Sequence, residues 1–434
     1  MKPIILILLF IPFLFQPSFQ AATKDKLYDV VIVGGGLSGL SAANELKGYH
    51  SLILEKNDHL GGRVSTQNKK GISYDMGAVF RYVNTDNINP GDPAWNYSVE
   101  EGGLAINYKG NNFYCDDVMD CVSKLGLDSQ ELRKIYAFRD NSCSGAPLAS
   151  YSLSKESYTV LNSLFKMIYP GDIDEYRCVN QKNLFKRWHI EYYPDGNRLV
   201  VDTFKKFLSS TIELNAEVIS INDEGKEVVT SYRQEGLVKK VFSKAVIVTT
   251  PAPITKKLLS HVDPKCLSFL NSVKYGKFTV IAIGLQDVRF KQFSYLFTPD
   301  FPSTVIISKY LKDTNTTILL VYYADKSSQE LSNEPDHAII ERSIDMIHKL
   351  NIGAFSDHNI FFTDIKRWDH GGTIISDEML QNAFDKDYSH PSKRVFLAGD
   401  YVYMKNAHPY GMAPAVKSGK TAAQRVIDLF KTCE

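Results

Sequence analysis

Three glycines set the limits on what this chain can fold into. Residues 30–63 read VVIVGGGLSGLSAANELKGYHSLILEKNDHLGGR, and the apolar run Val30 to Val33 passes directly into Gly34, Gly36 and Gly39. The small-residue stretch from Leu40 to Leu46 has helical character, and a second apolar run, Leu52 to Leu54, ends in Glu55. Strand, glycine turn, helix, strand and terminal acid in this order form a βαβ unit that grips a dinucleotide. Gly34 permits the tight turn, Gly36 lets the backbone approach a pyrophosphate, and Gly39 lets the helix lie close on the strand. The N-terminus of that helix offers unpaired N–H groups and the positive end of its dipole to phosphate, and Leu37 and Ser38, in the turn before it, are expected at the cofactor too. Glu55, about 20 residues beyond Gly34, is placed to bond a ribose hydroxyl. The glycine pattern alone is weak evidence; its agreement with the flanking strands, helix and acid makes it specific.

The residues that follow distinguish one dinucleotide from another. His59-Leu60-Gly61-Gly62-Arg63 comes straight after the acid, and Tyr74-Asp75-Met76-Gly77-Ala78 follows shortly. The run E-K-x-x-x-x-G-G-R resembles the flavin-dependent amine oxidase superfamily, which includes monoamine and polyamine oxidases, L-amino acid oxidases, protoporphyrinogen oxidase and phytoene desaturases. That resemblance implies FAD rather than NAD, with Lys56, Gly61, Gly62, Arg63, Gly77 and Ala78 added to the cofactor-binding set. It extends to the strand Ala216 to Ser220, where backbone groups at Val218 are expected to read the adenine edge. It extends also to Val395-Phe396-Leu397-Ala398-Gly399-Asp400 and to Pro409-Tyr410-Gly411-Met412-Ala413, which resemble the second flavin fingerprint of that superfamily. There Gly399 and Asp400 are expected at the ribityl chain. A helix from about Ala413 to Phe430 is expected to point its N-terminus, with Gly411 and Met412, at the flavin ring.

The expected fold is α/β: a discontinuous Rossmann-like, three-layer FAD-binding domain with an inserted α+β substrate domain. The first is expected from 27–85, 193–253 and 390–434, the second from 86–192 and 254–389. In the first insert, Val118 to Leu125, Gln130 to Tyr136 and Tyr158 to Ile168 have helical apolar spacing, after a loop-rich start carrying Trp95, Tyr97, Tyr108, Phe113 and Tyr114. In the second, Phe278 to Leu285 and Thr317 to Tyr323 read as strands and His337 to Leu350 as a helix.

The chain of 434 residues carries a formal charge of +1, so nothing draws it to nucleic acid. Met1-Lys2 precedes an apolar run from Ile4 to Phe15 and a small-residue stretch at Ala21-Ala22, so residues 1–22 read as a signal peptide. A secreted or periplasmic location follows as an expectation, with no stable membrane span after cleavage. The six cysteines show no CxxC spacing. One or two structural disulfides plus buried thiols are expected, and no metal site.

The same resemblance implies where the chemistry sits. Amine oxidases often hold a lysine near flavin N5, four residues after the glycine of a Tyr-Gly turn; here that place is Val280, after Tyr275-Gly276. Lys277 is either a displaced catalytic lysine or a solvated lysine at a strand start. The catalytic set is therefore Trp368 and Tyr410, expected beside the substrate, together with Lys277. His370 is a further proton acceptor or a structural residue. No cysteine follows Trp368, so the FAD is expected to be noncovalent. The function implied is hydride transfer from an amine, an amino acid or a related C–N or C–C substrate to flavin N5, with oxygen or a quinone as acceptor. The alternatives are a non-redox flavin isomerase resembling UDP-galactopyranose mutase and a non-catalytic flavin-binding protein.

Overall fold

A computed structural model describes residues 27–79, 81–82, 98–99, 103–140, 151–166, 170–175, 190–192, 195–290, 292–383, 389–402 and 411–433. The N-terminal stretch 1–22, Trp95, Tyr97, Cys143, Cys178 and Tyr410 lie outside them.

The apolar runs at Leu27–Val33 and Ser51–Leu54 become adjacent parallel strands of a seven-stranded sheet. Residues Val30 to Val33 are buried on both sides, as a parallel strand covered on two faces requires. The strand period of two divides them. Val30 and Ile32 pack with Leu40, Ala43, Phe204 and Val426 on one face. Val31 and Val33 pack with Leu258, Phe269 and Leu397 on the other. Helices Leu37–Glu45 and Met412–Cys433 cover the first face, and helices Ala252–Leu258 and Pro264–Ser272 the second, which makes three layers. Strand Leu237–Val248 serves the sheet twice. Its N-terminal part pairs antiparallel with Val228–Gln234, and its C-terminal part runs parallel between Leu27–Val33 and Val395–Leu397.

The second seven-stranded sheet runs in the order Ile360–Ile374, Lys274–Gln286, Thr316–Ala324, Val305–Leu311, Tyr295–Phe297, Leu104–Tyr108, Asn111–Cys115. Its pairs are antiparallel except that of Tyr295–Phe297 with Leu104–Tyr108. Helix Lys155–Lys166 lies on one face, with Val160 and Leu164 in a core shared by Val280 and Ala282. Helix Asp336–Lys349 lies on the other, with Ile339 and Ile347 against Ile281 and Ile283.

The structure corrects several expectations. Helices Ala252–Leu258 and Pro264–Ser272 pack on the first sheet through Leu258, Cys266, Phe269 and Leu270, so the passage to the second sheet falls at Lys274, not at residue 254. The first insert supplies a β-hairpin, Leu104–Tyr108 with Asn111–Cys115, where a loop-rich start was expected. Its turn uses Lys109 and Gly110, both at positive φ. Trp368 sits inside a 15-residue strand, Ile360–Ile374, whose charged residues obscure its alternation. Cys115 and Cys121 form a disulfide with Cα atoms 5.2 Å apart, and Cys266 is a buried free thiol. Among the described residues no helix is long and apolar enough to cross a membrane.

Candidate active site

The glycine turn is built as its spacing demands. Gly34 has φ +105°, a region that disfavours side chains, and a Cβ there would lie 2.6 Å from Thr249 Oγ1. That hydroxyl donates to the carbonyls of Val33 and Gly34 at 2.9 and 3.0 Å and pins the turn to the neighbouring strand. The helix begins at Leu37, earlier than the apolar pattern from Leu40 suggested, because Gly36 serves as its N-cap. A Cβ on Gly36 would meet nothing within 4 Å, so this backbone is open to a ligand. A Cβ on Gly39 would lie 2.0 Å from the Gly34 carbonyl oxygen, so Gly39 sets the helix-to-strand contact. Glu55 is 5% exposed. Its Oε2 accepts the Gly35 N–H at 2.7 Å and its Oε1 accepts the Asn57 N–H at 2.9 Å. The acid thus braces the turn from the next strand while facing the same cavity. The Gly-Gly-Arg loop lies alongside, with the Gly61 N–H donating to the Gly35 carbonyl at 2.9 Å.

One cavity of about 640 Å³ joins these pieces. Of the residues assigned to the cofactor from sequence, Gly34, Gly36, Leu37, Ser38, Glu55, Lys56, Gly61, Gly62, Arg63, Gly77, Ala78, Val218, Gly399, Asp400, Gly411 and Met412 line it. Gly39 and Ala413 do not: Gly39 is spent on the helix-to-strand contact, and Ala413 is buried in the core beneath helix Met412–Cys433. Arg63 donates to Asp400 Oδ1 at 2.6 Å and to the Gly371 carbonyl at 3.2 Å. Asp400 is 1% exposed, and its Oδ2 is a buried acceptor with no hydrogen-bond partner among the described residues. A polyhydroxyl chain would supply the missing donor. Together with the open backbone at Gly36 and the N–H groups at two helix starts that have no partner among the described residues, this donor and acceptor set fits FAD.

The far wall of the cavity is a face of the second sheet. Trp368 is paired with Phe278, and Lys366 with Val280, which is paired in turn with Tyr322 and through it with Val305. All of these line the cavity. Val280 thus occupies this wall where a lysine was looked for. Lys277 is an odd-numbered neighbour that does not line the cavity; its ammonium lies 3.1 Å from the largely exposed Asp369. The strand period of two separates it from Phe278 and Val280, and the structure therefore removes Lys277 from the catalytic set. Trp368 lines the wall with its Nε1–H held by the Met76 carbonyl at 2.6 Å. The Lys366 ammonium lies 5.1 Å from its ring centroid. His370 stands edge-on to Tyr275, with centroids 5.2 Å apart. Burial holds the His370 imidazole below its usual pKa; Asp369 opposes this, and the cations Arg63, Lys56 and Lys277 reinforce it.

Lys166, Tyr275, Phe278, Val305, Ile307, Tyr322 and Lys366 line the site without having been assigned to it from sequence. Their signal was available only in part. Lys366 and Trp368 alternate along one strand, which puts them on one face, and His370 follows where the pairing with the next strand shifts register. Lys166 reaches the cavity from the end of a helix on a different segment. Asp172, Glu175 and Asp325 form a compact acidic cluster, but Asp172 is already paired with Lys166 at 2.6 Å and Lys326 at 2.7 Å.

Comparison with known proteins bears on this geometry. Residues 87–427 match the family described as flavin containing amine oxidoreductase, and residues 32–88 match an NAD(P)-binding Rossmann-like domain. The L-amino acid oxidase Bs29 of Bothriechis schlegelii is 23% identical over 471 residues, covering 94% of this chain and 91% of that protein. The flavin-containing amine oxidase A of Equus caballus is 41% identical over 64 residues, which span 14% of this chain and only 12% of that protein. The fold is similar to that of the cyclohexylamine oxidase from Brevibacterium oxydans, with a TM-score of 0.75 at 14% identity over 94% of this chain and 100% of the other.

Proposed function

We propose, from the premise that the chain belongs to the flavin containing amine oxidoreductase family and is thus an FAD-dependent oxidoreductase, that it oxidises a C–N or C–C bond of a small molecule, with oxygen or a quinone as terminal acceptor. FAD, when bound, supplies the two-electron acceptor. The observation that carries this reading is the single cavity walled at one end by the glycine turn and at the other by the sheet face bearing Trp368. Arg63 neutralises Asp400, whose unpartnered Oδ2 is left to receive a cofactor hydroxyl. Trp368, Phe278 and Tyr322 offer flat apolar surface that orients a substrate and excludes water. His370, held below its usual pKa, is unprotonated at neutral pH and able to take a proton.

The same reading includes noncovalent FAD and export. Export is supported by the apolar run at Ile4 to Phe15 and by the Cys115–Cys121 disulfide, which belongs in an oxidising compartment.

The test is anaerobic. The FAD-loaded protein is titrated with amines, amino acids and porphyrinogens while the visible spectrum is recorded. Bleaching by one class, reversed by air or by a quinone, is expected. A chain that takes up no FAD overturns the reading.

A further inference from the structure

Among the described residues, every charge that lines the cavity has a partner or faces water, with one exception. Of the carboxylates, Glu55 accepts backbone N–H groups. Glu217 meets Arg233 at 3.2 Å, Asp369 meets Lys277 at 3.1 Å and Asp400 meets Arg63 at 2.6 Å. Of the cations, Arg367 is paired with Asp336, Lys166 with Asp172, and Lys56 is exposed. Lys366 is half-buried and has no carboxylate partner among the described residues. Asp364, two positions along the same strand face, is already engaged by Lys69 at 2.9 Å and by the Tyr74 hydroxyl at 2.7 Å.

The surroundings of Lys366 sharpen the point. Val280 lies directly across from it on the next strand, Tyr322 beyond that and Val305 beyond again, so its ammonium stands on a largely hydrocarbon wall. The Trp368 ring, 5.1 Å away, offsets only part of the hydration that a half-buried cation gives up. An ammonium in such a place gains most from an anion that arrives with a ligand. A substrate bearing its own ammonium at that wall would find like charge and, among the described residues, no unpaired carboxylate.

We infer that the substrate carries a carboxylate, and that Lys366 receives it and so selects acids over simple amines or polyamines. The inference rests on the oxidoreductase reading above and narrows its substrate class. Lys366 acts here in binding and selection. The bond that reacts is not assigned to it.

Three flat probes of nearly equal shape separate the possibilities: benzoate, benzamide and benzylamine, which are anionic, neutral and cationic. Each is titrated by calorimetry into the full FAD-loaded chain, into K366M and into K366R. Benzoate is expected to bind best. K366M is expected to weaken benzoate by about tenfold or more and leave benzamide within about twofold, and K366R to restore most of the loss. Tighter binding of benzylamine than of benzoate overturns the inference, as does equal loss of benzoate and benzamide in K366M, which would mark a packing role alone. Flavin content is read from the visible spectrum. The oxidoreductase reading therefore fails at the loading step, and the charge preference fails in the titrations.

Discussion

The guanidinium of Arg63 holds Asp400 Oδ1 at 2.6 Å, joining two residues 337 positions apart in sequence within the lining of the cofactor cavity. The contact ties the Gly-Gly-Arg loop of the first segment to the strand end of the last. Arg63→Met would leave the Asp400 carboxylate buried without its counter-charge. Breaking such a pair costs about 3–5 kcal/mol when both ends are buried, and about 2 kcal/mol is expected here because Arg63 is 35% exposed. The variant should lose most of its FAD on gel filtration and unfold at lower denaturant. Asp400→Asn should be the milder change in stability, since it leaves the charge on the more exposed partner. Full flavin occupancy with an unchanged midpoint in Arg63→Met would remove the pair from the binding account.

Gly36 and Gly39 should fail in different ways. A methyl on Gly36 meets no protein atom within 4 Å, so Gly36→Ala is expected to fold normally while weakening FAD by about tenfold, its Cβ standing where the pyrophosphate approaches. A methyl on Gly39 lies 2.0 Å from the Gly34 carbonyl oxygen, so Gly39→Ala must push the helix off its strand. Overpacking of this kind costs about 1–3 kcal/mol. Thermal midpoint and flavin affinity, measured on both, separate the two roles. A Gly39→Ala protein as stable as the parent would contradict the packing described.

Legibility in the sequence followed the range of the interactions involved. The dinucleotide turn was readable because its physics is local: Gly34, Gly36, Gly39 and Glu55 lie within one βαβ unit, and each has a backbone reason to be where it is. The later segments at Val218 and at Gly399-Asp400 were readable through resemblance, and they come to the same cavity. The substrate wall, Trp368 apart, was not readable. It is a row across four strands, Lys366, Val280, Tyr322 and Val305, drawn from three regions of sequence and fixed only by register. Strand Ile360–Ile374 carries Asp364, Lys366, Arg367, Asp369 and His370, so the apolar alternation that betrays a strand is missing. Helix Leu37–Glu45 starts one turn before the small-residue run from Leu40 because Gly36, as its N-cap, lets the glycine turn pass straight into the helix.

Lys277 provides a test of register. Its partner Asp369 is 76% exposed, so the ion pair stands in water and is screened. Lys277→Ala is expected to change stability by less than about 1 kcal/mol and turnover by less than about twofold. Steady-state rates with whichever substrate bleaches the flavin, together with a denaturant curve, check this. A loss of a hundredfold in the reductive half-reaction would return Lys277 to the catalytic set and show that the strand's register differs in the working enzyme.

Asp75 should make the fold lose stability as pH rises. Its carboxyl is 4% exposed and sits at the start of helix Arg198–Lys206, where it accepts the Asn197 N–H at 3.0 Å. Burial pushes its pKa up to about 6, against the pull of the Thr66 hydroxyl, the Lys309 charge and the Asn197 N–H. In the unfolded chain an aspartate titrates near 4. Between about pH 4 and 6 the native state therefore holds more of this proton than the unfolded state, and the group's contribution to stability falls as pH rises through that window. Above it the loss is complete, on the order of 3 kcal/mol. Asp75→Asn keeps an acceptor for Asn197 and cannot ionise, so its stability should exceed that of the parent at pH 7.5 and match it more nearly at pH 4.5. Urea midpoints of the two proteins at these pH values measure the difference. Parallel curves, with the same gap at both, would mean that the Asp75 carboxyl titrates alike in the folded and unfolded chains.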